Sequence, residues 1–188
     1  MSDPKVVLHL KLREERAALL RSIDGLDEYD RRRPMTPSGT NLLGLIKHLT
    51  GIEYGYLGSA FGRPSPTELP WVADGSLWQG GDMWARPDES SDFLLGLYRD
   101  ANEHADETIR TLDLSSPGYV AHWPEAARHT DLGVLLVRVV AETAHHAGHA
   151  DIVREMIDGR GGRDHDALDA AGWERYVAQV IAAADAFR

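Results

Sequence analysis

The chain has 188 residues, 43% of them hydrophobic, with 30 acidic against 20 basic side chains and a formal charge of −10. That length suits one domain spanning 1–188 with a sizeable core, and the acidic balance excludes the basic face that a nucleic-acid partner needs. No residue is cysteine, which removes disulfides, thiolate zinc sites and a cysteine nucleophile together and fits a reducing cytoplasm.

Residues 5–27 read as a first helix, with Val6, Leu10, Leu12, Ala17, Leu19, Leu20 and Ile23 near helical spacing among charges. Pro34 breaks the chain, and Pro37–Thr40 reads as a turn and cap before a second helix over 41–61. The inward set of that helix is Leu42, Leu45, Leu49, Ile52 and Tyr56. Residues 62–88 are irregular and hold four Pro and three Trp, namely Trp71, Trp78 and Trp84. A loop of this length either lines a pocket or a subunit interface, or uses its Trp residues to pack onto the bundle. Ser90–Asp92 can cap a third helix over 91–112, and after a loop over 113–130, Thr130 or Asp131 can cap a fourth that stops before Asp158-Gly159. Residues 160–163 read as a linker, and a last helix covers 167–186. No alternating run demands a sheet, and no apolar run approaches a membrane span. Met1–Lys5 opens no secretory signal. The predicted architecture is all-α: four core helices, one long crossover and an added C-terminal helix.

The fourth helix carries the chemistry. Leu132, Leu135, Val139, Glu142, His146, His149, Val153 and Met156 follow steps of three and four and predict an apolar seam with three ionisable residues in its middle. At about 100° per residue, Glu142, His146 and His149 share one face within about 60°, with His145 at its edge. A buried carboxylate needs compensation. A divalent metal supplies it directly; the alternative is a core network in which Glu142 accepts a hydrogen bond from His146. His48 borders the inward face of the second helix and would complete a set of two imidazoles and one carboxylate, which suits Zn, Ni, Fe or Mn and leaves positions open.

The segments Gly44–Leu49 with Glu53, Ala141–Glu155, Thr36–Asn41 and Ile157–Gly159 resemble the DinB superfamily. The resemblance covers nearly the whole chain and is closest to an actinobacterial branch that includes the mini-circle proteins. It implies a four-helix bundle with a metal site, and ligands at His48, Glu142 and His146. Glu142 stands where many members carry His, a pattern similar to the mycothiol-dependent maleylpyruvate isomerase. His149 falls where many members have Gln, which makes it a candidate fourth ligand or a residue behind the ligands. Arg138 departs from the His common in this branch.

The resemblance further implies metal-dependent S-transfer from a low-molecular-weight thiol such as mycothiol to an electrophilic small molecule, with zinc as the first choice of metal. The chain's lack of cysteine is compatible, since the sulfur would arrive on a cosubstrate. A metal-dependent hydrolase and a non-catalytic, stress-related metal-binding protein are the other readings. A homodimer is expected, with the Trp-rich crossover as apolar contact area. His9, His104 and His165 read as surface residues, Lys11–Arg16 and Arg31–Arg33 as solvated charge. His122 and His129 flank the loop before the fourth helix and could reach a site at that end.

Overall fold

The structure, a computed structural model, describes residues 3–162 and 165–188. Arg163 of the expected linker lies outside the described residues, as do Met1 and Ser2. Four long helices form the bundle: α1 (Pro4–Ile23), α3 (Leu42–Tyr56), α5 (Ser91–Thr111) and α6 (Leu132–Asp158). A short α2 (Glu28–Arg32) follows α1, α4 (Pro70–Ala73) lies in the crossover, and α7 (Ala170–Asp185) ends the chain.

Local chemistry sets the boundaries. The side chains of Asp3, Asn41, Ser90 and Asp131 each accept a hydrogen bond from a first-turn amide of the helix that follows. Gly159 stops α6 at φ 77°, a conformation that costs a residue with a Cβ. The first helix is shorter than the expected 5–27, because the chain turns at Asp24-Gly25 and restarts as α2 under its own Asp27 cap.

Two findings correct the sequence reading. Pro117–Tyr119 and His129–Asp131 (β1 and β2) pair antiparallel, Gly118 opposite Thr130, although no alternation announced them. At three residues each, strands are too short to show a period. The inward stripe of α6 is also rotated from the expected seam. Leu132, Leu135, Leu136, Val139, Thr143, Ala147, Ala150 and Val153 are buried, whereas Met156 is 53% exposed. Small residues let α1 pack close to α6, so the core runs along Thr143, Ala147 and Ala150, and the ionisable residues sit at its border.

The core has an upper part around Leu19, Leu45, Leu49, Trp71, Leu97 and Val153, and a lower part around Leu12, Leu57, Ile109, Leu135 and Val139. Between them lies a charge cluster that the sequence reading took for solvated surface. Arg16 donates to both Glu53 oxygens at 2.7 Å and to Asp106 at 2.5 Å, and Asp106 also bonds His9 at 2.9 Å. Burial alone would lower the Arg16 pKa, but Glu53 and then Asp106 more than offset it and hold the guanidinium charged. His104, expected at the surface, is half-buried and bonds the Arg63 carbonyl at 2.9 Å.

The crossover is fastened to the bundle rather than draped over it. Trp71 is fully buried, with the Lys47 ammonium 4.7 Å from its ring centre. Lys47 also donates to the Trp84 carbonyl and to Glu89, and Asn41 donates to the Met83 carbonyl. Gly44 permits the closest approach: a Cβ there would lie 1.9 Å from the Met83 carbonyl oxygen. Crossover residues 82–84 are thereby held against the start of α3, one turn from His48.

Candidate metal centre

Three elements converge on one face of the bundle. His48 comes from α3, Glu142 and His146 from successive turns of α6, and Asp82 from the crossover. Among the described residues, His48, Glu142 and His146 form the group whose donor atoms gather tightly enough for one ion, all within 4.8 Å of one another. Both His48 Nε2 and His146 Nε2 lie 3.4 Å from Glu142 Oε1. The two imidazoles meet edge to face, with ring centres 4.9 Å apart. All three side chains are partly open to solvent, at 18%, 33% and 14% exposure in chain order.

The distances bear on two arrangements, a hydrogen-bonded network and a cation site. An ordinary N–H···O bond spans about 2.9–3.0 Å. A tetrahedral ion with ligand bonds of about 2.0–2.2 Å sets its donors about 3.3–3.6 Å apart. The two 3.4 Å separations lie at the long edge of the hydrogen-bond range and within the tetrahedral spacing, so these three residues suit either arrangement.

Asp82 sharpens the point. Its carboxylate is buried and lies 2.7 Å from His48 Nδ1, so that nitrogen carries the proton and Nε2 turns toward Glu142. A neutral His48 therefore aims a lone pair at a carboxylate, and only a proton or a metal cation between them makes that contact favourable. A ligating imidazole with a carboxylate behind it is the usual support of a metal-bound histidine.

The electrostatics favour a protonated His48 beside a neutral His146. Burial alone would lower the His48 pKa, but Asp82 and then Glu142 more than offset it and raise it. Burial alone would raise Glu142; His48 and His146 hold it below the ordinary carboxylate value. His146 is pushed down to about 4, by burial first and by the neighbouring His48 second. His146 is thus a neutral donor at neutral pH, as ligation requires.

His149 is exposed, and its Nδ1 lies 3.4 Å from Nδ1 of His146, outside the converging group. His145 meets His149 edge to face with ring centres 4.5 Å apart. His129 lies on β2 beside Tyr119, away from these residues. His122 contacts Trp78 and Tyr56. Sequence periodicity could not find Asp82, since it stands in irregular chain; an acid after the Gly80-Gly81 turn amid Trp residues was the only local sign.

Fold and site together define a DinB-type helical bundle with two imidazoles and a carboxylate gathered between α3 and α6. The family model described as mycothiol-S-transferase matches residues 7–159, and the chain belongs to that family. The match ends at Gly159, so α7 lies beyond it. None of the curated proteins matches the chain. Among the described residues, no helix is long and apolar enough to cross a membrane.

Proposed function

We propose that this protein is a metal-dependent S-transferase that joins a low-molecular-weight thiol, mycothiol by the family's description, to an electrophilic small molecule. The observation that carries the reading is the convergence of His48, Glu142 and His146 on a face open to solvent. Two nitrogens and one carboxylate oxygen would hold a divalent ion, zinc first and Ni, Fe or Mn as other choices, with room left for a further ligand. Such an ion supplies positive charge that lowers the pKa of a thiol brought beside it.

The residues perform the rest. Asp82 keeps the proton on His48 Nδ1 and the ring in place. Glu142 offsets charge between the two imidazoles. His149, beside His146, is proposed as a fourth ligand or as a support for it. The thiol loses its proton to solvent, and the sulfur lone pair forms the S–C bond. The leaving group departs with the electron pair of the bond that breaks. With no cysteine in the chain, the sulfur comes on the cosubstrate.

A cytoplasmic setting, where small thiols stay reduced, belongs to this proposal. So does a homodimer. Trp84 on the crossover is 51% exposed, and Tyr176, Val177, Val180 and Ile181 leave one stripe of α7 about half exposed. Light scattering that shows a monomer at micromolar concentration overturns the dimer.

The function is tested in two steps. Elemental analysis of protein purified without a His tag or added metal should give about one divalent ion per chain. The loaded protein should then accelerate loss of mycothiol in the presence of monochlorobimane, and chelation should abolish the acceleration. A metal-loaded protein that leaves the thiol untouched but hydrolyses an ester overturns S-transfer in favour of hydrolysis.

A further inference from the structure

One to two helical turns along α3 and α6 from the metal-binding group lies a second cluster that ligation does not use. Tyr56 sits two turns beyond His48 on α3, Arg138 one turn before Glu142 on α6, and Trp78 four residues before Asp82 in the crossover. The elements that place His48, Glu142 and Asp82 thus also supply members of this cluster. The Arg138 guanidinium lies 4.9 Å from the Tyr56 ring centre and 5.3 Å from that of Trp123. The Trp123 indole N–H donates to the Tyr56 hydroxyl at 3.3 Å, and that hydroxyl lies 3.2 Å from His122 Nε2. Trp78, 72% exposed, packs its ring 5.8 Å from that of His122.

The charge of this cluster is positive and uncommitted. Arg138 has no hydrogen bond or ion pair with a carboxylate among the described residues, in a chain of net charge −10. Burial and then the Arg138 charge lower the His122 pKa, and its Nε2 lies within hydrogen-bond distance of the Tyr56 hydroxyl. A planar guanidinium laid on two rings keeps its N–H edge free and matches a carboxylate in two-point contact. The exposed face of Trp78 offers a flat apolar wall, and the partly buried Trp123 ring lies beneath Arg138. One helical turn, about 6 Å at 1.5 Å per residue, separates Arg138 from Glu142 along α6. A short conjugated acid spans that length.

We propose that Arg138, with Tyr56, His122, Trp123 and Trp78, forms the subsite for the electrophile, and that the electrophile is a planar molecule bearing a carboxylate at the end remote from its reacting carbon. The inference rests on the S-transferase reading for its chemistry, but binding tests it separately.

Calorimetric titration of the metal-loaded full chain with 3,5-dinitrobenzoate and with uncharged 3,5-dinitrobenzamide should show the acid bound about tenfold or more tightly. Arg138→Gln should abolish that preference with unchanged metal content, and Arg138→Lys should keep part of it. Equal affinities, no binding of either probe, or a preference that survives Arg138→Gln overturns the subsite. The chlorinated pair, 4-chloro-3,5-dinitrobenzoate and its methyl ester, tests transfer. There the thiol sulfur forms the S–C bond, chloride leaves with its electron pair, and the thiol proton goes to buffer. If neither compound consumes mycothiol faster than buffer, the transferase reading fails, and the calorimetry still decides the subsite. If both react alike and Arg138→Gln changes neither, transfer stands and the subsite falls.

Discussion

Asp82 offers the most direct test of how the site is held together. Its carboxylate is buried and lies 2.7 Å from His48 Nδ1, a short, charge-assisted contact. Asp82→Ala frees the His48 ring to rotate and makes it less basic. Losing a partner behind a ligand costs about 10–100-fold in metal affinity, or about 1.4–2.8 kcal/mol. The alanine variant belongs near the larger figure. Asp82→Asn keeps an oxygen that can accept from Nδ1–H but loses the charge, so about tenfold is expected. The crossover itself should stay in place, because the Asn41 bond to Met83 and the Lys47 bond to Trp84 hold the neighbouring backbone. Competition for zinc against a chromophoric chelator at pH 7.5 measures the affinity, and far-UV circular dichroism checks the helices. An alanine variant that binds zinc at full stoichiometry with unchanged affinity would refute the role of Asp82. Asparagine and alanine variants equally impaired would show that charge, rather than ring orientation, is what Asp82 supplies.

His146→Ala should lose stoichiometric metal while the helical signal persists, since His146 borders the core rather than filling it; full metal retention would move ligation to His145 and His149. Glu53→Gln leaves the Arg16 charge buried beside a half-satisfied partner and should cost about 3–5 kcal/mol by urea denaturation, whereas Arg16→Met with Glu53→Leu should recover most of that loss. A Glu53→Gln variant within 1 kcal/mol of wild type, on the order of a surface change, would contradict the buried pairing. For Asp106, burial alone would raise the pKa, but Arg16 and then His9 hold it below the ordinary carboxylate value. The unfolded chain therefore binds this proton first as pH falls, and the contribution of Asp106 is present above the ordinary value of about 3.9 and fades as pH drops through the lower folded value. The stability gap between wild type and Asp106→Asn should be full at pH 7 and shrink below about pH 4 in denaturant titrations; a gap that is constant with pH would exclude the ionic contribution.

Much of this fold was legible locally. Helix periodicity and the caps at Ser90 and Asp131 act over three or four residues, and so does the left-handed stop at Gly159, while the cap expected within Pro37–Thr40 falls at Asn41. The same local geometry stacks His146 over Glu142, because residues four apart on a helix share a face. His48 borders the inward face of its own helix by the same rule, but its meeting with that pair depends on α3 packing against α6. Packing also decided which stripe of α6 turns inward. Hydrophobic scoring favours the larger residues, whereas close approach of α1 selects Thr143, Ala147 and Ala150 and leaves Met156 in solvent. Partners distant in sequence decided the rest. Arg16 reads as solvated charge, and Lys47 has no local sign of burial; Glu53, Asp106 and Glu89 arrive from other elements to compensate them. Asp82 and Trp78 lie in irregular chain with no period to reveal them, and only the close contact at Gly44 and the buried Trp71 bring that chain to His48 and His122. Sequence thus determined what forms within one helix, and tertiary packing determined which side chains from different elements share a site, because desolvation and pairing energies exist only once those elements meet.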